Sequence, residues 1–457
     1  MQPTCPFIKP ARVKDAMRRF AEGAGSVITV VDDRHLGWIF DAAGNPKPDY
    51  TARVNRQELP AKSKESGAII GARISDIVRT GTRIVEPINL VEVPEGEALD
   101  IDTFSDWAVA EHLASRKRIL LRTDAAKELG MGHVYRTLAL AYSLARHQIT
   151  IVLSDDKPLG AEFFAEYPFE VATAASDLEF LSFARKSKAD LVVLDRLDNV
   201  AEFVTLLGGF SKVVTFEDLG DGAEAADLLI ADMYEHPRVP AERQLTGVEN
   251  AILAPSFESL KRQITFKESV EEVLVLFGGT DPSNLAVTAL RALEYIEFPG
   301  RVTLVRGLGA DLVDPKAYKL RLRVLSNVKN MPAVMEDADI ALSSAGRTIT
   351  ELSSLGIPTI CMAQNAKELT HTHTTPTNGV LMLGLGALVS TETLAAHLTE
   401  LINNDDLRFK LHTRALEATG TRSNDRIVRR ILKPDDLNGK GKGKGRVIAA
   451  IPRAPSR

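Results

Sequence analysis

The sequence has little of what secreted and membrane proteins are built on. Only two of its 457 residues are cysteines, Cys5 and Cys361, far apart and without metal-ligand spacing, so neither a disulfide framework nor a zinc site is indicated. No apolar run reaches membrane-spanning length, and Met1-Gln-Pro-Thr-Cys-Pro6 has no basic region followed by an apolar one. A cytoplasmic location is expected. An excess of one charge is missing too: 56 Lys and Arg stand against 61 Asp and Glu, a net charge of -5. That balance offers no global attraction for nucleic acid or anionic lipid, so neither is an expected partner. What is present is ordinary for a globular protein, with 44% hydrophobic and 26% charged residues in a chain too long for one core. Small-molecule chemistry in two or three domains is the expectation.

Val13, Met17 and Phe20 recur at helical spacing between Ala11 and Glu22, and Ser26 to Val31 reads as a buried strand. Asp41 to Tyr50, with Gly44, Pro46 and Pro48, suggests a projecting loop or arm, and Gly67 to Gly71 the next strand. Thr103 with Asp106 three residues on predicts a capped helix through Trp107, Ala110 and Leu113. From Arg118 the chain alternates strand-like and helix-like segments, with strands at Ile119 to Arg122, Ile149 to Leu153, Leu191 to Leu194 and Lys212 to Phe216, the rhythm of a parallel sheet. The helix Thr137 to Arg146 is expected to pack on that sheet through Leu138, Tyr142 and Ala145. Polar, proline-containing sequence from His236 to Glu249 reads as an interdomain linker. A second alternation starts with Val273 to Phe277 and continues at Val302 to Val305, Ile340 to Ser343 and Thr359 to Met362. The fold class is therefore α/β, with two Rossmann-like halves at 117–245 and 246–433, a smaller α/β unit at 1–116 before them, and a glycine- and lysine-rich, disordered tail at 434–457.

Three strand-to-helix junctions carry glycines. The first, Arg122-Thr-Asp124 to Gly130-Met-Gly132-His133-Val-Tyr-Arg136, brings a backbone that can approach a ligand closely to a helix start whose free N–H groups face an anion such as a diphosphate. His133 stands where the helix dipole disfavours imidazolium, the placement of a general base. The competing reading is a packing turn with an incidental histidine. The second junction is Gly278-Gly279-Thr280-Asp-Pro-Ser-Asn284. The third is Ser344-Ala-Gly346-Arg-Thr348, with Glu351 a turn further on and able to accept from ribose hydroxyls. His371 and His373 share a face if extended, but without a third ligand they do not make a metal site.

Two resemblances add to this. Gln2-Pro-Thr-Cys-Pro6, Arg56-Gln57-Glu-Leu-Pro60, Ser66-Gly-Ala-Ile and Asp100-Ile-Asp102-Thr-Phe-Ser-Asp-Trp107 occur in order and resemble the C-terminal half of acylneuraminate (CMP-nonulosonate) cytidylyltransferases. That likeness implies Asp100 and Asp102 as ligands of Mg2+, with Gln2, Arg56 and Gln57 at the acyl sugar and CTP and a nonulosonic acid as partners. It departs in having Ser66 where Asn is usual, and the first half of that domain, with its CTP-phosphate loop, has no counterpart. The strand at Ser26 to Val31 is then expected to show an unpaired edge or to bind elsewhere, with the missing half supplied by a separate upstream cytidylyltransferase half or the segment serving as a docking or dimerisation element. An arm at Trp38 to Pro60 is the counterpart of the element through which such enzymes form homodimers.

Arg118 to about Leu401 resembles the UDP-sugar hydrolase of the pseudaminic acid pathway and the spore-coat polysaccharide proteins, themselves similar to the murein family of GT-B glycosyltransferases. The three junctions above carry the likeness. It implies a GT-B pair of Rossmann-like domains in which His133 activates water at the anomeric carbon, with inversion and without a metal cofactor. Asp124, Gly130, Gly132 and Arg136 fall at the substrate, and Gly278, Gly279, Thr280, Asn284, Ser344, Gly346, Thr348 and Glu351 at the nucleotide. The expected function is hydrolysis of a UDP-linked diacetamido-trideoxy sugar or UDP-N-acetylhexosamine in nonulosonic (pseudaminic, legionaminic or sialic) acid biosynthesis. The alternatives are a CMP-nonulosonate cytidylyltransferase, a GT-B glycosyltransferase and a non-catalytic scaffold.

Overall fold

A computed structural model describes residues 1–124, 132–154, 158–260, 266–307, 309–420 and 423–433. The loop residues 125–131, among them Gly130, and the tail 434–457 lie outside the described residues. Met1–Arg116 and Lys117–Arg457 form two compact units.

In the first unit Ser26–Asp32 is the middle of three strands, antiparallel to Ser63–Ala72 and parallel to Ile88–Glu92. The unpaired edge expected of Ser26 to Val31 is therefore not there: its N–H and C=O groups are taken on both sides. Pro10–Ala21 covers the sheet through Ala16, Val13 and Phe20, while Met17 faces outward, because the helix buries a narrow stripe against Val27 and Val91. Asp41 to Tyr50 is not an irregular loop, since Pro46–Pro48 pairs with Trp38–Phe40 in a hairpin. Trp38, Ile39 and Phe40 are exposed on it. The helix Phe104–Ser115 opens with the expected capping box, Thr103 and Asp106 satisfying each other's backbone N–H.

The second unit contains two parallel sheets. The first has seven strands in the order Gln244–Thr246, Leu228–Ala231, Lys212–Phe216, Leu191–Asp195, Arg118–Thr123, Gln148–Leu153, Glu170–Thr173. The second has six, in the order Arg321–Ser326, Arg301–Arg306, Glu272–Leu276, Ile340–Ser343, Thr359–Ala363, Val380–Leu385. Central strands of both are buried on two faces, which is why they read as unbroken apolar runs.

Three expectations change. Gln244–Thr246, in the stretch expected as a linker, is the edge strand of the first sheet, its entry fixed by Gln244 Nε2 donating to the carbonyls of His236 and Val239. The helix Gly132–Ser143 buries Val134, Thr137, Leu140 and Ala141, followed by Leu144; of the expected Leu138, Tyr142, Ala145 stripe only Leu138 packs on that core, and Tyr142 meets Tyr167 and Phe169 edge-on at the surface. The helix Ser423–Leu432, assigned by sequence order to the second half, returns to the first and places Ile427 and Ile431 in its core. Asn424 ties it there through the backbone of Leu253 and the hydroxyl of Ser143.

Candidate functional site

In a parallel sheet the ligand-facing edge is the one where strands end, because loops and helix starts leave it with unpaired backbone groups. Asp195 is the last residue of its strand, and Glu217 and Asp232 immediately follow theirs. These three buried carboxyls stand beside the first turns of the helix Gly132–Ser143. His133 Nδ1 lies 2.6 Å from Asp195 Oδ1. Asp195 Oδ2 accepts from Arg136 Nε at 2.9 Å and from Thr137 Oγ1 at 3.3 Å, and its Oδ1 accepts from Arg136 Nη2. Arg136 Nη2 also lies 3.1 Å from His133 Nδ1, but two donors cannot bond each other. The carboxylate therefore accepts from Nδ1–H and from two nitrogens of Arg136, whose Nη1 is left without a hydrogen-bond partner among the described residues, and Nε2 is the ring nitrogen that this network does not use. Arg136 and His133 hold the Asp195 carboxyl far below the usual carboxylate range although burial opposes it. Asp195 in turn raises the already high pKa of Arg136.

The second half meets this edge with its own loops. Arg347 lays its side chain against Gly132, where an added Cβ would sit 3.4 Å from Arg347 Cδ, and donates from Nη2 to the carbonyl of Ile252 at 2.7 Å. Glu351, in the helix Thr348–Ser354, lies within electrostatic reach of Tyr135 on the His133 helix, and burial raises its pKa against the effect of Arg347. Thr372 N donates to the carbonyl of Met233 at 2.8 Å, a further tie between the halves.

The glycine loops are braced from behind. Gly278 has φ +80, a conformation open to glycine, and its α-carbon faces Ser344, whose Oγ would lie 3.9 Å from an added Cβ. Asp281, not Thr280 or Asn284, closes the following helix by accepting from the backbone N–H groups of Leu285 and Ala286. Gln364 Nε2 donates to Asp281 Oδ1 at 2.7 Å, and Glu368 Oε2 accepts from the N–H groups of both Ala345 and Gln364. His371 Nδ1 bonds the carbonyl of Ala345 at 2.7 Å and His373 Nε2 that of Gly346 at 3.2 Å. Holding those two carbonyls turns the peptide N–H groups of Gly346 and Arg347 the opposite way. Burial pushes His373 down to about 4, so its ring is neutral and donates from Nε2. The histidine pair is thus a support for the loop, and no metal-binding group of three or more ligand residues occurs among the described residues. Gly278 and Asn284 line a cavity of about 460 Å3 that extends to Arg306 and Val313.

The structure thus brings Gly132 against Arg347, beside Gly346, and Gly278 against Ser344, while His133 and Arg136 are held at Asp195. Asp124 immediately follows the strand Arg118–Thr123 and approaches Arg196 at 3.8 Å. Gly279 and Thr280 sit under the Gly307 and Gly309 turn, where a Cβ at either glycine would strike them. Thr348 opens its short helix. In the first unit Gln2 and Asp100 converge: an added Cβ at Gly67, φ +73, would stand 2.9 Å from Asp100 Oδ2 and 3.0 Å from Gln2 Oε1. Asp100 Oδ1 is buried without a hydrogen-bond partner. Asp100 and Asp102 both help to raise the Cys5 thiol to about 11, after burial. Two hard carboxylates suit Mg2+ that keeps several waters, though not a closed protein cage. Arg56 turns away to Asp32 and Glu95, and Gln57 is exposed beside it.

Sequence reasoning missed Asp195, Glu217, Asp232, Asp281 and Glu368. The available signal was an acid directly ending an apolar run, at Val-Leu-Asp195, Thr-Phe-Glu217 and Ile-Ala-Asp232.

Two parallel Rossmann-like sheets whose strand ends share one cleft are the GT-B architecture. The solved structures agree: MurG of Acinetobacter baumannii superposes with a TM-score of 0.52 at 15% identity, over 69% of this chain and 99% of that one. The spinosyn forosaminyltransferase SpnP gives 0.51 at 14%, over 69% and 98%. In sequence the chain is 27% identical over 308 residues to the spore coat polysaccharide biosynthesis protein SpsG of Bacillus subtilis, 63% of this chain and 90% of that protein. It is 26% identical over 293 residues to an uncharacterized protein of Methanocaldococcus jannaschii, 57% of this chain and 60% of that protein's length. It is 21% identical over 269 residues to the UDP-2,4-diacetamido-2,4,6-trideoxy-beta-L-altropyranose hydrolase of Campylobacter jejuni, 54% of this chain and 93% of that enzyme. No protein-family model matches.

Proposed function

We propose that the second unit is a nucleotide-sugar enzyme of polysaccharide biosynthesis that hydrolyses a UDP-linked amino sugar, a diacetamido-trideoxyhexose or an N-acetylhexosamine, to UDP and free sugar. The observation that carries the reading is the His133–Asp195 pair at the ligand edge of one sheet, opposite the braced glycine loop of the other. His133 Nε2 takes a proton from water as the water oxygen bonds the anomeric carbon. The bond from that carbon to the diphosphate oxygen breaks with its electron pair, and UDP leaves. Asp195 holds the ring and stabilises the imidazolium that forms. The N–H groups of Gly346 and Arg347 meet the diphosphate, and Glu351 the ribose. Two relatives support this at low identity: one is named for polysaccharide biosynthesis, the other for hydrolysis of a UDP-diacetamido sugar. The test is incubation with a panel of UDP-diacetamido-trideoxyhexoses and UDP-N-acetylhexosamines, with and without a sugar acceptor. UDP with one equivalent of reducing sugar is expected; product formed only with acceptor assigns a glycosyltransferase, and no turnover assigns a scaffold.

For the first unit we infer a divalent-ion site at Asp100 and Asp102, supported by the buried, unpartnered Asp100 Oδ1 beside Gln2. Mg2+ or Mn2+ binding by calorimetry that Asp100→Ala abolishes is the expected result; heat unchanged by that substitution refutes it.

A further inference from the structure

The segment that follows the strand Thr359–Ala363 bonds to both halves at once. Its short turn Glu368–Thr370 leads into His371, Thr372 and His373, and His371 leaves the turn extended, at φ -73 and ψ 123. Successive side chains of an extended backbone point to opposite sides, so His371 and His373 share one face and Thr372 has the other. The two imidazoles lie side by side, with ring centroids 5.6 Å apart. Both are spent on the loop after the strand Ile340–Ser343, His371 donating from Nδ1 to the carbonyl of Ala345 at 2.7 Å and His373 from Nε2 to that of Gly346 at 3.2 Å. Glu368, at the head of the same turn, accepts from the Ala345 N–H at 3.1 Å.

Thr372 faces the other way and reaches the first half. Its N–H donates to the carbonyl of Met233 at 2.8 Å and its hydroxyl to the same oxygen at 3.2 Å. Met233 lies two residues beyond the strand Leu228–Ala231, and the Asp232 N–H before it donates to Glu217 Oε1 at 3.0 Å, which sets that strand end. The far end of the tripeptide is closed inside the second half: Asn378 Nδ2 donates to the carbonyl of His373 at 2.9 Å and Thr374 Oγ1 to that of His371 at 3.2 Å. Thr372 makes no hydrogen bond to residues 344–347 among the described residues, so it acts on that loop only through the rings on either side of it. The N–H groups of Gly346 and Arg347, which belong to the peptides whose carbonyls those rings hold, donate to nothing among the described residues.

We propose that His371-Thr372-His373 is a strap of positioning residues that makes the nucleotide loop of the second half depend on contact with the first: with Thr372 on Met233, the two imidazoles keep the Gly346 and Arg347 N–H groups turned to the diphosphate, and without that contact the hold is lost. The inference rests on the reading of that loop as the nucleotide site. The strap carries no chemical step.

The test is UDP affinity by calorimetry, together with hydrogen exchange across residues 343–352 in the UDP-free protein, for the wild type, Thr372→Pro and Thr372→Val. Thr372 is exposed, so neither substitution opens a core. Thr372→Pro removes both bonds to Met233, and the extended His371 before it suits a following proline. It should weaken UDP by about tenfold and speed exchange across 343–352, a stretch to which it is not bonded. Thr372→Val keeps the shape and loses only the hydroxyl bond, so it should show the same two changes at about threefold, and it carries the test if the proline variant does not fold. In a His371→Ala, His373→Ala background, Thr372→Val should weaken UDP no further, because the rings through which it acts are gone. Wild-type affinity or wild-type exchange in both Thr372 variants, or an undiminished effect of Thr372→Val in that background, overturns the proposal. If the wild type does not bind UDP, the nucleotide reading fails instead and the strap is judged on exchange alone: faster exchange at 343–352 in the Thr372 variants upholds it, and wild-type exchange refutes it.

Discussion

His133 is useful as a base only while its Nδ1 proton is committed to Asp195, since that commitment leaves Nε2 free. His133→Ala should lower turnover by about 10²–10⁴-fold, the usual scale for a lost general base, with UDP affinity retained. Asp195→Asn presents an amide that can flip and stabilise the other tautomer; turnover should fall by about 10²-fold or more with little change in KM. Asp195 also has a stability signature. Its carboxyl is lowered in the fold, so its contribution is present above the ordinary carboxylate range and is lost only as pH falls below it. Melting temperature should therefore decline at acid pH in the wild type, and Asp195→Asn should remove much of that slope; parallel curves would contradict the pairing. Glu351→Ala should weaken UDP binding and leave the melting temperature near wild type, because burial raises its carboxyl and its side chain makes no hydrogen bond among the described residues.

At the scale of elements, the fold was legible wherever a strand is buried on both faces. Leu191–Asp195 and Glu272–Leu276 are apolar but for one terminal acid each, because a side chain buried in the sheet interior has no water to bond, while Asp195 and Glu272 at the ends find protein partners. Glu170–Thr173 and Gln244–Thr246 escaped because edge strands carry polar residues that look like loop. The glycine junctions were legible because a backbone that turns sharply there needs residues without a side chain. The acids at the neighbouring strand ends were not, since Asp195, Glu217 and Asp232 are single residues far apart in sequence until parallel pairing aligns those ends. The returning helix Ser423–Leu432 was not read from the sequence, and its destination depends on where Asn424 finds Leu253. Ile427→Ala and Ile431→Ala should each destabilise by about 2–5 kcal/mol in denaturant unfolding, the range for buried isoleucine truncation. Losses confined to the second half would contradict its packing in the first.

For the whole molecule, the first sheet carries the His133–Asp195 pair and the second the braced glycine loops, and Arg347 and Thr372 tie one to the other. Hydrolysis at the anomeric carbon makes a demand that simple product detection does not test, because cleavage at phosphorus gives a nucleotide and a sugar phosphate or UDP by another route. The most direct measurement is turnover of the best UDP-sugar in water enriched in oxygen-18, read by mass spectrometry of the nucleotide. Carbon–oxygen cleavage by water activated at His133 predicts unlabelled UDP and labelled free sugar, both formed far more slowly by His133→Ala. Label in the phosphates of the nucleotide, or an equal rate in the variant, would contradict it.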